Sequence, residues 1–165
     1  MSWPDGYWYS FFLEDPIIDE LNHILDTTTE FRGENLTRNG RQTDNVLDKV
    51  DIGKIEIPFA LGVTQSNDSI LDRPFETVHI HLIDYDEDGY QIPHDHRETE
   101  DFSFIIYLND SDQQTAFYKE PDYMYVTPEK GKAIFFPSNL LHWTIPGTMK
   151  KRVAVGAVKY LDATP

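Results

Sequence analysis

Residues 77–160 form a series of short strand-like segments separated by turn residues. Apolar and polar residues alternate in residues 77–85, and a second segment follows at residues 89–94. Many short strands at even spacing are typical of all-β sandwiches and barrels. This part of the chain therefore predicts a mainly β fold. The later predicted strands are residues 102–108, 115–118, 123–127, 132–136, 142–145 and 152–160.

A short strand and one helix are predicted near the N-terminus. Residues 7–13 are rich in aromatic side chains, which favour strands. Asp15 can cap a helix that begins at Pro16, because proline fits the first helical position. Apolar residues then recur at helical spacing, so residues 16–26 predict an amphipathic helix.

The segment between this helix and the β region is mostly polar. Residues 27–50 predict a long loop with a short helix near residues 46–50. Residues 54–60 predict an edge strand, because a proline such as Pro58 cannot donate a hydrogen bond in the centre of a sheet. We therefore expect a single domain over residues 1–165, in which residues 1–76 support a core formed by residues 77–160.

Composition narrows the classes of partner and metal site. The chain has no cysteine, so any metal must bind nitrogen and oxygen ligands. Its net charge of −15 argues against binding to nucleic acid and leaves a small-molecule or peptidyl substrate. No signal-peptide pattern or membrane-length apolar run is present, so we expect a cytoplasmic protein without membrane contact. The sequence does not indicate an oligomeric state.

Three histidines in two clusters, His94, His96 and His142, are candidate ligands for one divalent metal. Residues i and i+2 of a strand point to the same side, so His94 and His96 can reach one ion and a later strand must bring His142. His79 and His81 form a second pair at the same spacing. They could also be ligands, but no loop bend or later partner supports this, and we interpret them as strand residues with polar neighbours.

Several motifs occur in a specific order in this region. They are Tyr85-x3-Gly89-Tyr-x2-Pro93-His94-x-His96, Phe104-Ile-Ile-Tyr-Leu-Asn109, Pro128-x2-Gly131-x3-Phe135-Phe-Pro-Ser-x3-His142, and Arg152. This pattern resembles prolyl-hydroxylase-type Fe(II)/2-oxoglutarate oxygenases. Residues 7–26 also resemble the N-terminal segment of that family. The resemblance implies a double-stranded β-helix, or jelly roll, with a small N-terminal helical portion and an oxidoreductase activity of the dioxygenase type.

The resemblance also implies cofactors and their ligands. Fe(II) would be held by His94, the residue at position 96 and His142. Arg152 would bind the distal carboxylate of 2-oxoglutarate, since a guanidinium can pair with both carboxylate oxygens. Tyr107 matches a tyrosine that often hydrogen-bonds the same carboxylate. Thr144 or Asn109 could add polar contacts to the site.

One position departs from the family pattern, because His96 stands where an aspartate is usual. Two histidines and one carboxylate form the usual ligand set of non-haem Fe(II) oxygenases. The chain instead has a possible set of three histidines, and Glu98 or Glu100 could supply the missing carboxylate. In a second register, His96-x-Glu98 is the histidine–acid motif, but the spacing from Tyr85 favours His94.

Two other functions fit the same residues. A cupin-like metal protein that does not use 2-oxoglutarate could bind its metal through His94, His96, Glu100 and His142. That interpretation leaves Arg152 without a role. The second alternative is a non-catalytic jelly-roll binding module in which the histidines are incidental. Binding of 2-oxoglutarate separates the oxygenase from both.

Overall fold

The computed structural model describes residues 9–33, 37–65, 74–94 and 101–161. These residues contain nine β-strands, two α-helices and a short 3₁₀ turn at Leu47–Lys49. In chain order the elements are β1 (Tyr9–Phe12), α1 (Asp15–Thr27), β2 (Thr37–Gln42), α2 (Gly53–Gln65), β3 (Phe75–His94), β4 (Phe102–Tyr107), β5 (Thr115–Lys119), β6 (Asp122–Val126), β7 (Lys132–Pro137), β8 (Leu141–Thr144) and β9 (Lys151–Tyr160).

The strands form one curled antiparallel sheet in the order β1-β7-β4-β9-β3-β8-β5-β6, with β2 also paired to β3. The long strand β3 belongs to both halves of the curl. Its first part, Phe75–Tyr85, pairs with β9, and its last part, Gln91–His94, pairs with β8. The curl is thus a half-barrel, and the predicted mainly β jelly-roll class is confirmed.

A β-bulge near the end of β3 decides which side chain faces the inside of the curl. Gln91 lies opposite Thr144, and His94 lies opposite His142, so β3 advances three residues while β8 advances two. An extra residue in one strand shifts the alternation of its side chains by one position. The bulge therefore brings His94 opposite His142.

Apolar side chains occupy both faces of the sheet. On the outer face, residues such as Leu82, Ile106 and Ala154 pack against the two helices. On the inner face, Ile105 and Val153 belong to a second buried cluster inside the curl. A sheet covered on both faces needs apolar residues at nearly every position, and β4 is accordingly buried throughout.

The helix predicted near the N-terminus is confirmed as α1, whose apolar side is buried against the sheet. Residues 54–60, in contrast, do not form an edge strand but lie in α2. Ile55 and Phe59 are fully buried while Ile57 is largely exposed, which is the pattern of a helix and not of a strand. No helix in the described part of the chain is both long and apolar enough to cross a membrane.

Residues 27–50 are not a loop throughout, because they contain β2. The sequence of β2, Thr-Arg-Asn-Gly-Arg-Gln, has no apolar residue and therefore no alternation to reveal a strand. The short helix expected near residues 46–50 is present as the 3₁₀ turn.

Candidate functional site

A cavity of about 380 Å³ lies inside the curl, between its two halves. Ile105, Phe136, Val153 and Val155 form its apolar walls. Among the described residues that line the cavity there is no aspartate or glutamate. Its polar lining consists of Arg32, Gln42, His79, His81, Tyr85, Gln91, His94, Ser103, Thr115, His142, Thr144 and Lys151.

Two of the predicted metal ligands, His94 and His142, meet in this cavity. Their ring centroids are 4.2 Å apart, and their ring planes are inclined at 60°. His142 is buried, and its ring packs edge-on against Phe136 at a centroid distance of 4.9 Å. The bulge in β3 and the antiparallel pairing with β8 together produce this approach.

Both imidazoles are oriented through the same ring atom. Nδ1 of His94 lies 2.7 Å from the carbonyl oxygen of Ile92, and Nδ1 of His142 lies 3.0 Å from that of Leu140. A carbonyl oxygen only accepts hydrogen bonds, so each Nδ1 donates its proton. The lone pair of each neutral ring is then on Nε2. A hydrogen bond from the other ring nitrogen typically fixes metal-binding histidines in this way.

The remaining predicted ligands, His96, Glu98 and Glu100, lie outside the described residues. Within the described residues, no group of three or more His, Asp or Glu side chains is arranged to hold a metal ion. Two oriented imidazoles nevertheless suit iron and other transition metals. The two described imidazoles therefore fit as part of the ligand set of such a metal.

Lys151 is the most deeply buried charged side chain of the cavity, with 1% of its surface exposed. Its Nζ donates hydrogen bonds to the carbonyl oxygen of Gln113 and to Oγ1 of Thr144, both at 3.1 Å. It also lies 4.8 Å from the ring centroid of Tyr85. Burial lowers the pKa of Lys151 to about 7, and no described carboxylate offsets this effect.

The structure does not bring Arg152 to the cavity. The side chain lies on the outer face of β9, where its guanidinium contacts Asp26 Oδ1 at 2.8 Å and Asp84 Oδ2 at 3.6 Å. Asn22 on α1 accepts a further hydrogen bond from it at 3.3 Å. Neighbouring residues of a strand point to opposite faces, so the cavity receives Lys151 in its place.

The other residues suggested for the co-substrate differ in their placement. Tyr107 is fully buried next to the cavity, and its hydroxyl donates to Oγ1 of Thr115, a lining residue, at 2.6 Å. Burial raises the pKa of Tyr107, so its hydroxyl stays protonated. Thr144 lines the cavity, whereas Asn109 binds backbone groups at the start of β9.

His79 and His81, interpreted from the sequence as ordinary strand residues, also line the cavity. They lie on the inward face of β3, opposite Ala157 and Val155 of β9. Burial, and to a smaller extent the nearby charges of His81 and Arg32, lower the pKa of His79. The alternation of β3 placed both histidines on one face, but the sequence did not show that this face is the inner one.

No protein-family model matches the sequence, and no curated protein is detectably similar to it in sequence. Solved structures do resemble its fold. A prolyl-4-hydroxylase from Pseudomonas putida matches with a TM-score of 0.70 at 14% identity, covering 95% of each chain. The viral collagen prolyl hydroxylase of Paramecium Bursaria Chlorella virus-1, in its 2-oxoglutarate complex, matches at 0.69 and 18% identity, covering 95% of this chain and 98% of that chain.

A third match is HygX from Streptomyces hygroscopicus, solved with nickel and 2-oxoglutarate bound. Its TM-score is 0.69 at 9% identity, and the match covers 95% of this chain and 84% of that chain. At these identities the likeness concerns the fold and not the residues of the site. The chain therefore has the jelly-roll fold of the 2-oxoglutarate- and Fe(II)-dependent oxygenases.

Proposed function

We propose that this protein is an Fe(II)- and 2-oxoglutarate-dependent oxygenase that acts on a small-molecule or peptidyl substrate. The observation that carries the proposal is the buried ammonium of Lys151 in the same cavity as the His94–His142 pair. Burial of a cation without a carboxylate partner has a large desolvation free energy, which a negatively charged ligand can offset. The distal carboxylate of 2-oxoglutarate is such a ligand.

Lys151 binds and orients the co-substrate in this proposal, in the role that the sequence suggested for Arg152. Its contact with Thr144 holds the ammonium in position, and the hydroxyl of Tyr85 forms hydrogen bonds with the side chains of Thr144 and Thr37. Apolar walls such as Ile105 and Val153 exclude water, which strengthens the attraction between ammonium and carboxylate.

His94 and His142 are proposed to hold Fe(II) through Nε2, with His96 as the third protein ligand. Iron bound there would supply the oxygen activation that couples decarboxylation of 2-oxoglutarate to oxidation of the substrate. The hydrogen bonds from Nδ1 to the carbonyls of Ile92 and Leu140 keep both imidazoles in the tautomer that can bind metal.

Anaerobic calorimetry of the full chain tests the proposal, with 2-oxoglutarate titrated into the protein with and without Mn(II). We expect saturable binding only in the presence of Mn(II). His142→Ala should abolish it, while His23→Ala, which changes an exposed histidine on α1, should not. Mn(II) binding without affinity for 2-oxoglutarate would instead favour the cupin-like protein. Absence of both would favour the non-catalytic module.

The third ligand is tested by Mn(II) affinity in single variants. His96→Ala should weaken Mn(II) binding as strongly as His142→Ala, since each removes one imidazole. If the affinity survives His94→Ala but is lost in both His96→Ala and Glu98→Ala, the second register of the motif is right. Loss in Glu100→Ala would point to the cupin-type ligand set.

A further inference from the structure

A second polar cluster lines the cavity and has no part in the chemistry proposed above. It consists of Arg32, His79 and His81, and the two imidazole centroids are 4.9 Å apart. Backbone contacts hold the cluster together. The N–H of Arg32 donates to the carbonyl oxygen of Gln42 at 2.8 Å, and Nδ1 of His81 donates to that of Thr43 at 3.0 Å.

His79 contains a buried polar atom that lacks a partner. Its Nδ1 is inaccessible to solvent and has no hydrogen-bond partner among the described residues. Buried polar atoms in native proteins are nearly always paired, so an orphaned one indicates that a group is missing. Arg32, His81 and Lys159 make the surroundings of this atom positive. A ligand that accepts a hydrogen bond and carries negative charge would satisfy both conditions.

The described residues place little negative charge near this cluster, although the chain contains 29 acidic residues. No aspartate or glutamate is found among the described residues that line the cavity. Among the described residues, Arg32 has one carboxylate neighbour, Asp44, whose Oδ1 lies 4.0 Å from Nε and whose side chain is 83% exposed. An ion pair that is this long and this exposed contributes little, so the guanidinium can exchange it for a ligand.

We propose that Arg32, His79 and His81 form a subsite that binds an anionic oxygen group, a carboxylate or phosphate, of the substrate. The proposal rests on the oxygenase function and names its substrate class. Lys151 receives the carboxylate of the co-substrate, while this cluster receives the anion of the substrate in the same cavity. A guanidinium can donate two parallel hydrogen bonds to such a group, and Nδ1 of His79 can donate a third.

Nuclear magnetic resonance of the imidazole nitrogens tests the subsite in the whole chain of residues 1–165 without metal, which has six histidines to assign. The probes are inorganic phosphate and acetate. The probe that binds more tightly indicates whether the substrate group is a phosphate or a carboxylate. We expect saturable shifts of the His79 and His81 resonances. Arg32→Gln should weaken the probe affinity at least about tenfold, because it removes the charge and the paired donors. Arg38→Gln, which changes an exposed arginine of β2 outside the cavity lining, is the matched control and should leave the affinity unchanged.

Three results would overturn the subsite. They are the absence of saturable shifts with both probes, an equal response in Arg32→Gln and wild type, and a loss of Mn(II) affinity in His79→Gln as large as in His142→Ala. The last result would assign His79 to the metal. Calorimetry of wild type with Mn(II) and 2-oxoglutarate separates this proposal from the oxygenase function. If the anion probes shift the His79 resonances but 2-oxoglutarate does not bind, the subsite is supported and the oxygenase function is refuted. If 2-oxoglutarate binds but the probes cause no shifts at His79, only the subsite is refuted.

Discussion

The two faces of β9 place adjacent cations in opposite situations. Lys151 is 1% exposed inside the cavity and contacts only neutral groups among the described residues. Arg152 lies on the outer face with its side chain 25% exposed and pairs with Asp26 and Asp84. The fold itself neutralises the charge of Arg152. It leaves the charge of Lys151 to be neutralised by a ligand or by loss of a proton.

This difference teaches that charge type and position in the sequence do not identify a ligand-binding cation. Arg152 bridges β9 to α1 and thereby stabilises the packing of the helix on the sheet. Lys151, which is desolvated and has no carboxylate partner in the described part of the chain, has the perturbed pKa that is typical of functional sites. The presence or absence of neighbouring carboxylates distinguishes a cation that stabilises the fold from a cation that can bind a ligand.

The largest effect is expected for Lys151→Met. Truncating one member of a buried charge pair costs about 2–5 kcal/mol, so the affinity for 2-oxoglutarate in the presence of Mn(II) should fall at least about 30-fold. Calorimetry measures this loss, with the exposed neighbour variant Lys150→Met as a control that should bind normally. Normal binding by Lys151→Met would exclude Lys151 from the co-substrate site.

An intermediate effect is expected from pH. The pKa of Lys151 is about 7 in the free protein, and a bound carboxylate raises it because it stabilises the ammonium. Affinity for 2-oxoglutarate should therefore be highest below pH 7 and fall by up to about tenfold per pH unit above it. Calorimetry over this range measures the slope. Lys151→Arg should remove the slope, since a guanidinium stays charged, and a slope that persists in this variant would contradict the assignment.

The smallest effect is expected for Arg152→Met. Its affinity for 2-oxoglutarate should stay within about twofold of wild type, because the side chain lies outside the cavity. The free energy of unfolding should fall by about 1 kcal/mol, as for a partly exposed ion pair. Urea unfolding measures the stability, and calorimetry measures the affinity. A large loss of affinity with unchanged stability would reverse the comparison between the two cations.

Part of the fold could be predicted because its signals are local. The apolar spacing of α1 and the strands of residues 77–160 follow from periodicity. The strand predicted for residues 54–60 was wrong because Ile55, Ile57 and Phe59 fit a strand as well as a helix. Packing against the sheet favours the helix, which buries Ile55 and Phe59 and exposes Ile57. Strand β2 contains no apolar residues whose alternation could reveal it in the sequence. Its backbone pairing with β3 is what orders it.

The site shows the same division. The motif order predicted that His94 and His142 would meet, but the bulge before His94 and the two orienting hydrogen bonds required the pairing of β3 with β8. The position of His79 and His81 in the cavity was missed for a similar reason. Their common face was evident from alternation, whereas the neighbours of that face belong to distant strands.

The sequence by itself determined the residue chemistry and the rule that Lys151 and Arg152 point to opposite sides of their strand. It did not determine which side is the cavity, because the two faces of β9 are both apolar, with Val153 and Val155 on one and Ala154 and Gly156 on the other. Only the tertiary structure decided this. Pairing places Lys151 opposite Tyr85 inside the curl, and α1 supplies the acidic partner that holds Arg152 outside.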